Sequence, residues 1–408
     1  MARFKTLDDL DVAGKRVIVR VDFNVPMKDG EVTDKTRINR ALPTIQELSK
    51  RGAKVLVMSH YGRPGGKHDP ALSLKPVSQA LSHKLGGPVE FAEDCIGDPV
   101  RIVAKQLVDG DVAVLENTRF HHGEERNDRS FAKALAEYGD LYVNDAFSAA
   151  HRAHASTEGI TEFLPAAAGL ALERELDYLA SALSEPVRPL MAVVGGAKVS
   201  TKIALLLNLV TKADLLVVGG GMANTFLFAQ GRDVGKSLCE PDLADTAKEI
   251  IEQAAAQNCE LVLPVDVVVA KEFKEGAERE VVAIDAVKSD DMILDLGPDS
   301  VDLIAEKIEA AKTVVWNGPL GAFETPPFDT ATVEAAQFAA KRVKEDELVA
   351  VAGGGDTVAA LNHAGVVDDF TYVSTAGGAF LEWLEGKTLP GVAALEASAA
   401  KHKEEDEG

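Results

Sequence analysis

Short, almost unbroken apolar runs recur along this chain, and most are followed by a stretch with helical spacing. The runs are RVIVRVDF (16–23), AKVLVMSH (53–60), DVAVLEN (111–117), LYVNDAF (141–147), LMAVVGG (190–196), DLLVVGGG (214–221), ELVLPVDVVVA (260–270), TVVWNGP (313–319) and ELVAVAGG (347–354). Helical patterns such as TRINRALPTIQELSKRG (36–52), KIALLLNLVTKA (202–213) and SVDLIAEKIEAAK (300–312) lie between them. A strand that is apolar along its length is covered on both faces, and helices interposed between such strands imply a parallel sheet. One sheet holding so many strands would be large, and 408 residues exceed one ordinary domain. The expected fold is therefore α/β, with two doubly wound, Rossmann-like parallel-sheet domains.

The expected boundary falls in FLPAAAGLALERELDYLASALSEPVRP (163–189), where Leu170, Leu172, Leu176, Leu179 and Leu183 recur at helical spacing. Without Ser/Gly-rich filler, this reads as a connecting helix and not a loose linker. The expected division is 1–165 for one domain, 166–183 for the helix and 184–387 for the second domain. Charge changes on the same stretch. Residues 1–165 hold 23 Lys+Arg against 24 Asp+Glu, whereas residues 166–408 hold 20 against 41. An overall charge of -22 argues against nucleic acid as a partner, while the near-neutral first half can still hold a local basic patch. A strongly acidic surface is also a device of halophilic proteins.

Aromatic residues make up only 5%, so the cores are expected to be built of Val, Leu, Ile and Ala. The beginning of the chain lacks the apolar region of a signal peptide, and no run is long enough to span a membrane. Cys95, Cys239 and Cys259 are odd in number and lack C-x-x-C spacing, which suits small buried hydrophobes in a reducing cytoplasm.

Eight of the runs or their neighbours end in a polar or glycine cluster: DFN, SHYGRP, ENTRF, NDAFSAAHRAH, GGAK, GGGMAN, WNGP and GGGDT. In open α/β sheets ligands bind just outside the carboxyl ends of the strands. Any one cluster is ordinary turn chemistry, but eight at one topological position suggest a site. In the first half they supply Arg37, His60, Arg63, Arg119, His151, Arg152 and His154, with Asp22 and Asn24. Arginine suits two-pronged contact with phosphate or carboxylate, although each alone could be a surface ion pair. His151 with His154, or His121 with His122, has a spacing that permits metal binding, yet neither a cysteine nor a paired carboxylate completes a ligand set. In the second half, VVGGAKVSTK puts Lys198 and Lys202 one turn apart at an expected helix start, where bare amides attract phosphate. GGGDT (353–357) adds Asp356, an acid suited to Mg²⁺ beside phosphate oxygens. Two apparent motifs fail: GRDVGKS is one residue short of a P-loop, and GGGMAN lacks the dinucleotide-binding glycine spacing. That failure disfavours a nicotinamide-dependent dehydrogenase.

The ordered set RVDFNVP, TRI, SHYGRP, ENTRF, VNDAF with AAHRAH, GGAKVS, GGGMA, WNGPLGAFE, GGGDT and LPGV resembles the phosphoglycerate kinase family over essentially the whole chain. The resemblance implies 3-phosphoglycerate binding by the first domain through Asp22, Asn24, Arg37, His60, Arg63, Arg119 and Arg152, bordered by Phe23, Tyr61 and Gly62. His151 and His154 would support that patch. It implies a nucleotide site in the second domain, lined by Gly195, Gly196, Gly219, Asn317, Gly354 and Gly355. There Lys198 and Lys202 would meet phosphates, Glu324 the ribose, Asp356 a nucleotide-bound Mg²⁺, and Thr357 would lie near a phosphate. Residues 388–408 are expected to pack back on the first domain. Three positions depart from the family pattern: Ala376, Tyr61 and Ile293.

The implied reaction is reversible phosphoryl transfer between 1,3-bisphosphoglycerate and ADP, by a monomer whose domains close about a hinge. Its nucleophile in the ATP-consuming direction is an ionised carboxylate, so no general base is needed. Lys198 and Arg37 are the expected catalytic residues. The alternative is a non-catalytic or differently specific sugar-phosphate binder that keeps the first-half patch, which loss of Lys198, Lys202 or Asp356 would have favoured.

Overall fold

The computed structural model describes residues 4–406. It divides into two compact units, Met1–Leu176 with Thr388–Gly408, and Asp177–Lys387. The point of division lies inside the helix Leu170–Leu179.

The first unit is built on six parallel strands in the order Glu90–Ala92, Val112–Leu115, Lys54–Met58, Arg16–Arg20, Leu141–Asn144, Ala166–Ala168. Val17, Val19, Val55, Val57 and Val143 are fully buried, as strands covered on both faces require. Each such side chain contributes roughly 1.5–3 kcal/mol on burial. The helix Thr36–Lys50 packs through Ile38, Ala41, Ile45 and Leu48, which recur at helical spacing. Asp34 caps its start by accepting from the Thr36 N–H at 2.8 Å. That anchoring leaves Arg37 in the first turn, half-buried, facing the strand ends. The helix Pro390–Asp406 belongs to this unit; Ser398 Oγ accepts from the Ala166 N–H at 3.1 Å, and the Gly391 N–H donates to Ala150 O at 2.9 Å.

The second unit repeats the plan with the order Glu260–Val262, Leu215–Val218, Leu190–Val194, Thr313–Asn317, Val349–Gly353, Tyr372–Ser374, again all parallel. It adds an antiparallel sheet in which Asp266–Ala270 lies between Arg279–Ala283 and Met292–Leu296. The single run ELVLPVDVVVA is thus two strands in two sheets. Pro264 lacks an N–H for a central ladder, and the chain changes sheet there.

In each parallel sheet the chain fills one side of its first strand and then crosses to the other. Arg16–Arg20 therefore neighbours Leu141–Asn144 in the first unit, and Leu190–Val194 neighbours Thr313–Asn317 in the second. The carboxyl ends of those pairs are the topological switch points, where a crevice opens. Among the described residues no helix is long and apolar enough to cross a membrane.

Candidate active site

At the switch point of the first unit, the strand Arg16–Arg20 runs into Val21–Asn24, and Leu141–Asn144 runs into Asp145 and the turn Phe147–Ala149. Asn144 Oδ1 accepts from the Ala146 N–H at 3.1 Å, which bends the chain as it leaves the sheet. Asp22 Oδ1 accepts from Arg37 Nη1 at 3.0 Å and from the Asn24 N–H at 3.0 Å, while Ser148 Oγ donates to its other oxygen at 2.5 Å. Arg37 Nη1 also donates to Asn24 O at 2.8 Å. Asn24 Oδ1 accepts from the Gly62 N–H at 3.0 Å, and Arg119 Nη1 donates to Gly62 O at 2.9 Å. Asp22, Asn24, Arg37, Gly62 and Arg119 are therefore one bonded group drawn from three strand ends and the helix Thr36–Lys50.

The histidines lie in the field of the arginines. His60 is buried, and its Nδ1 is 2.9 Å from Arg20 Nη2. The guanidinium can only donate, so Nδ1 is the unprotonated acceptor. Burial, and then the charges of Arg20, Arg119, His154 and Arg37, hold His60 well below its ordinary range. His154 is pushed down to about 4, by burial first and then by Arg119, Arg20, Arg152 and His151. Both are neutral imidazoles in the unliganded protein at neutral pH. Arg63 and Arg152 are exposed and His151 is half-buried. Phe23 is wholly buried in the core of this unit, and Tyr61 packs against the same core.

Arg20, which none of the polar clusters after the apolar runs contains, is only 1% exposed and central to the cluster. Its Nε donates to Ser156 Oγ at 2.9 Å, and Ser156 Oγ in turn donates to the wholly buried Glu124. Glu124 also accepts from the Ser156 N–H at 3.0 Å and from Thr118 Oγ1 at 3.2 Å. The signal was present as an arginine inside the apolar run RVIVRVDF, since a charge on a buried strand must have partners.

In the second unit the glycines serve two different purposes. A Cβ on Gly195 would lie 1.7 Å from Pro319 O, and one on Gly318 would lie 2.1 Å from Gly195 O. Gly195 and Gly318 let the ends of the neighbouring strands Leu190–Val194 and Thr313–Asn317 touch backbone to backbone, and a Cβ on Gly219 would meet Leu320. Lys202 Nζ is folded into that contact, donating to Gly195 O at 2.6 Å, Asn317 Oδ1 at 2.7 Å and Asn317 O at 3.1 Å. Burial pushes Lys202 down to about 8, and the charge of Asp356 opposes the shift. Three acceptors around Nζ keep it an ammonium at neutral pH. Asn317 Nδ2 donates to Gly353 O at 2.8 Å, and the buried Thr357 Oγ1 accepts from the Gly318 N–H at 2.7 Å.

The expectation that Lys198 and Lys202 share the face of one helix start is corrected. A short turn, Val199–Thr201, intervenes, and the α-helix begins at Ile203. Lys198 is exposed while Lys202 points inward. GGGDT does open a helix, Gly355–His363. Gly354 precedes it with φ +104°, and a Cβ on Gly355 would meet nothing within 4 Å. Gly355, Asp356, Lys198 and Glu324 are exposed, and Gly196 is half-buried. The open surface is thus the start of this helix, with its unpaired N–H groups and positive dipole end.

The fold and these two clusters define a class: a two-unit α/β phosphotransferase, with a cationic cluster in one unit and an anion-attracting helix start in the other. The family described as phosphoglycerate kinase matches residues 7–387. A curated phosphoglycerate kinase of Methylorubrum extorquens (strain PA1) is 63% identical over 398 residues, covering 97% of this chain and 100% of that protein. A solved structure of phosphoglycerate kinase from Coxiella burnetii aligns with TM-score 0.92 and 46% identity over 97% of this chain and 100% of that one. The enzyme from Pyrococcus horikoshii OT3 aligns with TM-score 0.79 and 32% identity, over the same shares of each chain. This chain belongs to the phosphoglycerate kinase family.

Proposed function

We propose that the basic cluster of the first unit holds 3-phosphoglycerate or 1,3-bisphosphoglycerate, and that the start of Gly355–His363 in the second holds the phosphates of ADP or ATP. The protein then catalyses 1,3-bisphosphoglycerate + ADP ⇌ 3-phosphoglycerate + ATP, a step of glycolysis. The observation that carries the division of roles is the contrast between Gly355, which has open space before it, and Gly195 and Gly318, whose space is filled by backbone. Only the first of these gives a phosphate room to reach amide groups.

Arg37 and Arg119 are positioned by Asp22, Asn24 and Gly62 before any ligand arrives, so little order is lost on binding. The carboxylate of 3-phosphoglycerate is itself the nucleophile and is ionised at neutral pH. Catalysis then consists of alignment and of neutralising charge on the transferred group. Lys198, exposed and mobile on its four-carbon stem, is the residue free to follow that charge, and Arg37 meets it from the triose-phosphate side. Because the two ligands belong to separate units, transfer requires a closure that brings them in line and excludes water. The exposed carboxylate of Asp356 fits Mg²⁺ accompanying the nucleotide, and the ion would neutralise phosphate charge there. We infer a single chain acting in the cytoplasm.

Coupling ATP formation from 1,3-bisphosphoglycerate and MgADP to an ATP-dependent readout tests the reading. ATP appearing in proportion to enzyme is expected. Binding of triose phosphate without turnover would instead favour the sugar-phosphate binder.

A further inference from the structure

The fold completes a ligand set that the sequence leaves scattered. The strands Glu90–Ala92 and Val112–Leu115 are neighbours, with Ala92 paired to Leu115. The chain leaving the first carries Asp94 and Cys95, and the chain leaving the second carries His121 just past the turn Thr118–Phe120. A carboxylate oxygen, the Cys95 sulfur and a ring nitrogen of His121 all lie within 4.8 Å of one another. The Asp94 and His121 side chains are 38% and 29% exposed, whereas Cys95 is only 1% exposed beneath them. The His121 ring stacks on Phe131 at 5.0 Å, which fixes its plane.

We propose that Asp94, Cys95 and His121 form a binding site for a zinc-class divalent ion, with oxygen, sulfur and nitrogen donors and a fourth position open to water. Mixed S, N and O donors in this number are the set that four-coordinate zinc accepts while keeping one exchangeable ligand. Asp94 Oδ1 and His121 Nε2 are now 2.7 Å apart in a hydrogen bond. Tetrahedral bonds of about 2.1 Å need donors roughly 3.4 Å apart, so the ion would part this pair slightly while drawing the sulfur in. The thiol proton leaves to solvent as the sulfur is ligated. A bound ion would cross-link the loop after Ala92 to the segment that carries Arg119, and so stiffen one wall of the basic cluster.

The test uses the full chain, stripped with chelator and free of nucleotide, titrated with Co²⁺ as an absorbing substitute for zinc. Thiolate-to-cobalt absorption saturating at one ion per chain, and displaced by Zn²⁺, is expected. Cys95→Ser should abolish it, Cys239→Ser should retain it, and His121→Ala should weaken apparent affinity by more than about tenfold. Absence of the thiolate band, or its survival in Cys95→Ser, overturns the proposal. Should Cys95→Ser fail to melt cooperatively, the partly exposed His121→Ala decides alone, and unchanged affinity in it rejects the site.

Discussion

Arg20 donates to His60 Nδ1, and that bond exists only while the nitrogen is unprotonated. Acidification therefore opposes the native cluster. The linkage is clearest for His154, which is pushed from 6.5 down to about 4. The unfolded chain binds the proton more readily, so the contribution of His154 is present above pH 6.5 and is lost as pH falls through about 4. Asp295 has the opposite sign. It is buried, its Oδ1 has no hydrogen-bond partner among the described residues, and burial raises it from 3.8 to about 7. Its contribution is present below pH 3.8 and is lost as pH rises through about 7. Melting temperatures of wild type, His154→Gln and Asp295→Asn between those limits should show it. Wild type gains on the histidine variant as pH rises and falls back against the aspartate variant; parallel curves would mean that neither group titrates as described. At the catalytic step, Lys198→Ala should lower kcat on the order of 10²–10³-fold, the usual cost of one lost transition-state charge contact. Initial rates at saturating substrates measure this, and an unchanged kcat would leave Lys198 without the role.

Whole elements separate the glycines that build the fold from those that leave room for a ligand. Gly318→Ala would place a Cβ 2.1 Å from Gly195 O at φ +110°, so strain and a backbone clash combine. Loss of at least about 2–3 kcal/mol is expected. Gly355→Ala meets nothing within 4 Å and lies in the helix Gly355–His363, so its stability should hold or rise slightly. Urea unfolding of both variants checks the contrast, and equal destabilisation would contradict it. The sequence showed both as members of similar glycine clusters; what separates them is which neighbour approaches, and that is a property of the folded sheet. The same limit applies to strands. Long β-branched runs such as RVIVRVDF announce central strands, because burial on both faces leaves no alternation. Three-residue edge strands such as Ala166–Ala168 carry too little pattern, and the mostly exposed Arg279–Ala283 resembles surface chain.

Across the molecule, charge is divided unevenly. The first 165 residues are close to neutral, while the remainder holds 41 acids against 20 bases. At about 1 M salt the Debye length is roughly 3 Å, so long-range repulsion of a nucleotide by the acidic part is screened while close contacts persist. KCl should weaken 3-phosphoglycerate binding, and should weaken MgADP binding less or even strengthen it; parallel salt dependence by calorimetry would show that local contacts dominate both. The same screening should raise the melting temperature. Most cations of the first unit's cluster were legible because they stand in polar clusters after the apolar runs, whereas the roles of Arg20, Ser156 and Glu124 were not, since these depend on partners far away in sequence. The claim that two clusters hold two substrates is tested most directly by crossed calorimetric titration. Wild type, Arg37→Ala and Gly355→Ala are each titrated with 3-phosphoglycerate and with MgADP. Arg37→Ala should lose affinity for 3-phosphoglycerate by about tenfold or more and keep its affinity for MgADP, because a charge-assisted contact is removed on one side only. Gly355→Ala should do the reverse. If either variant loses both ligands equally, or Gly355→Ala binds MgADP as wild type does, the assignment of one substrate to each cluster is wrong.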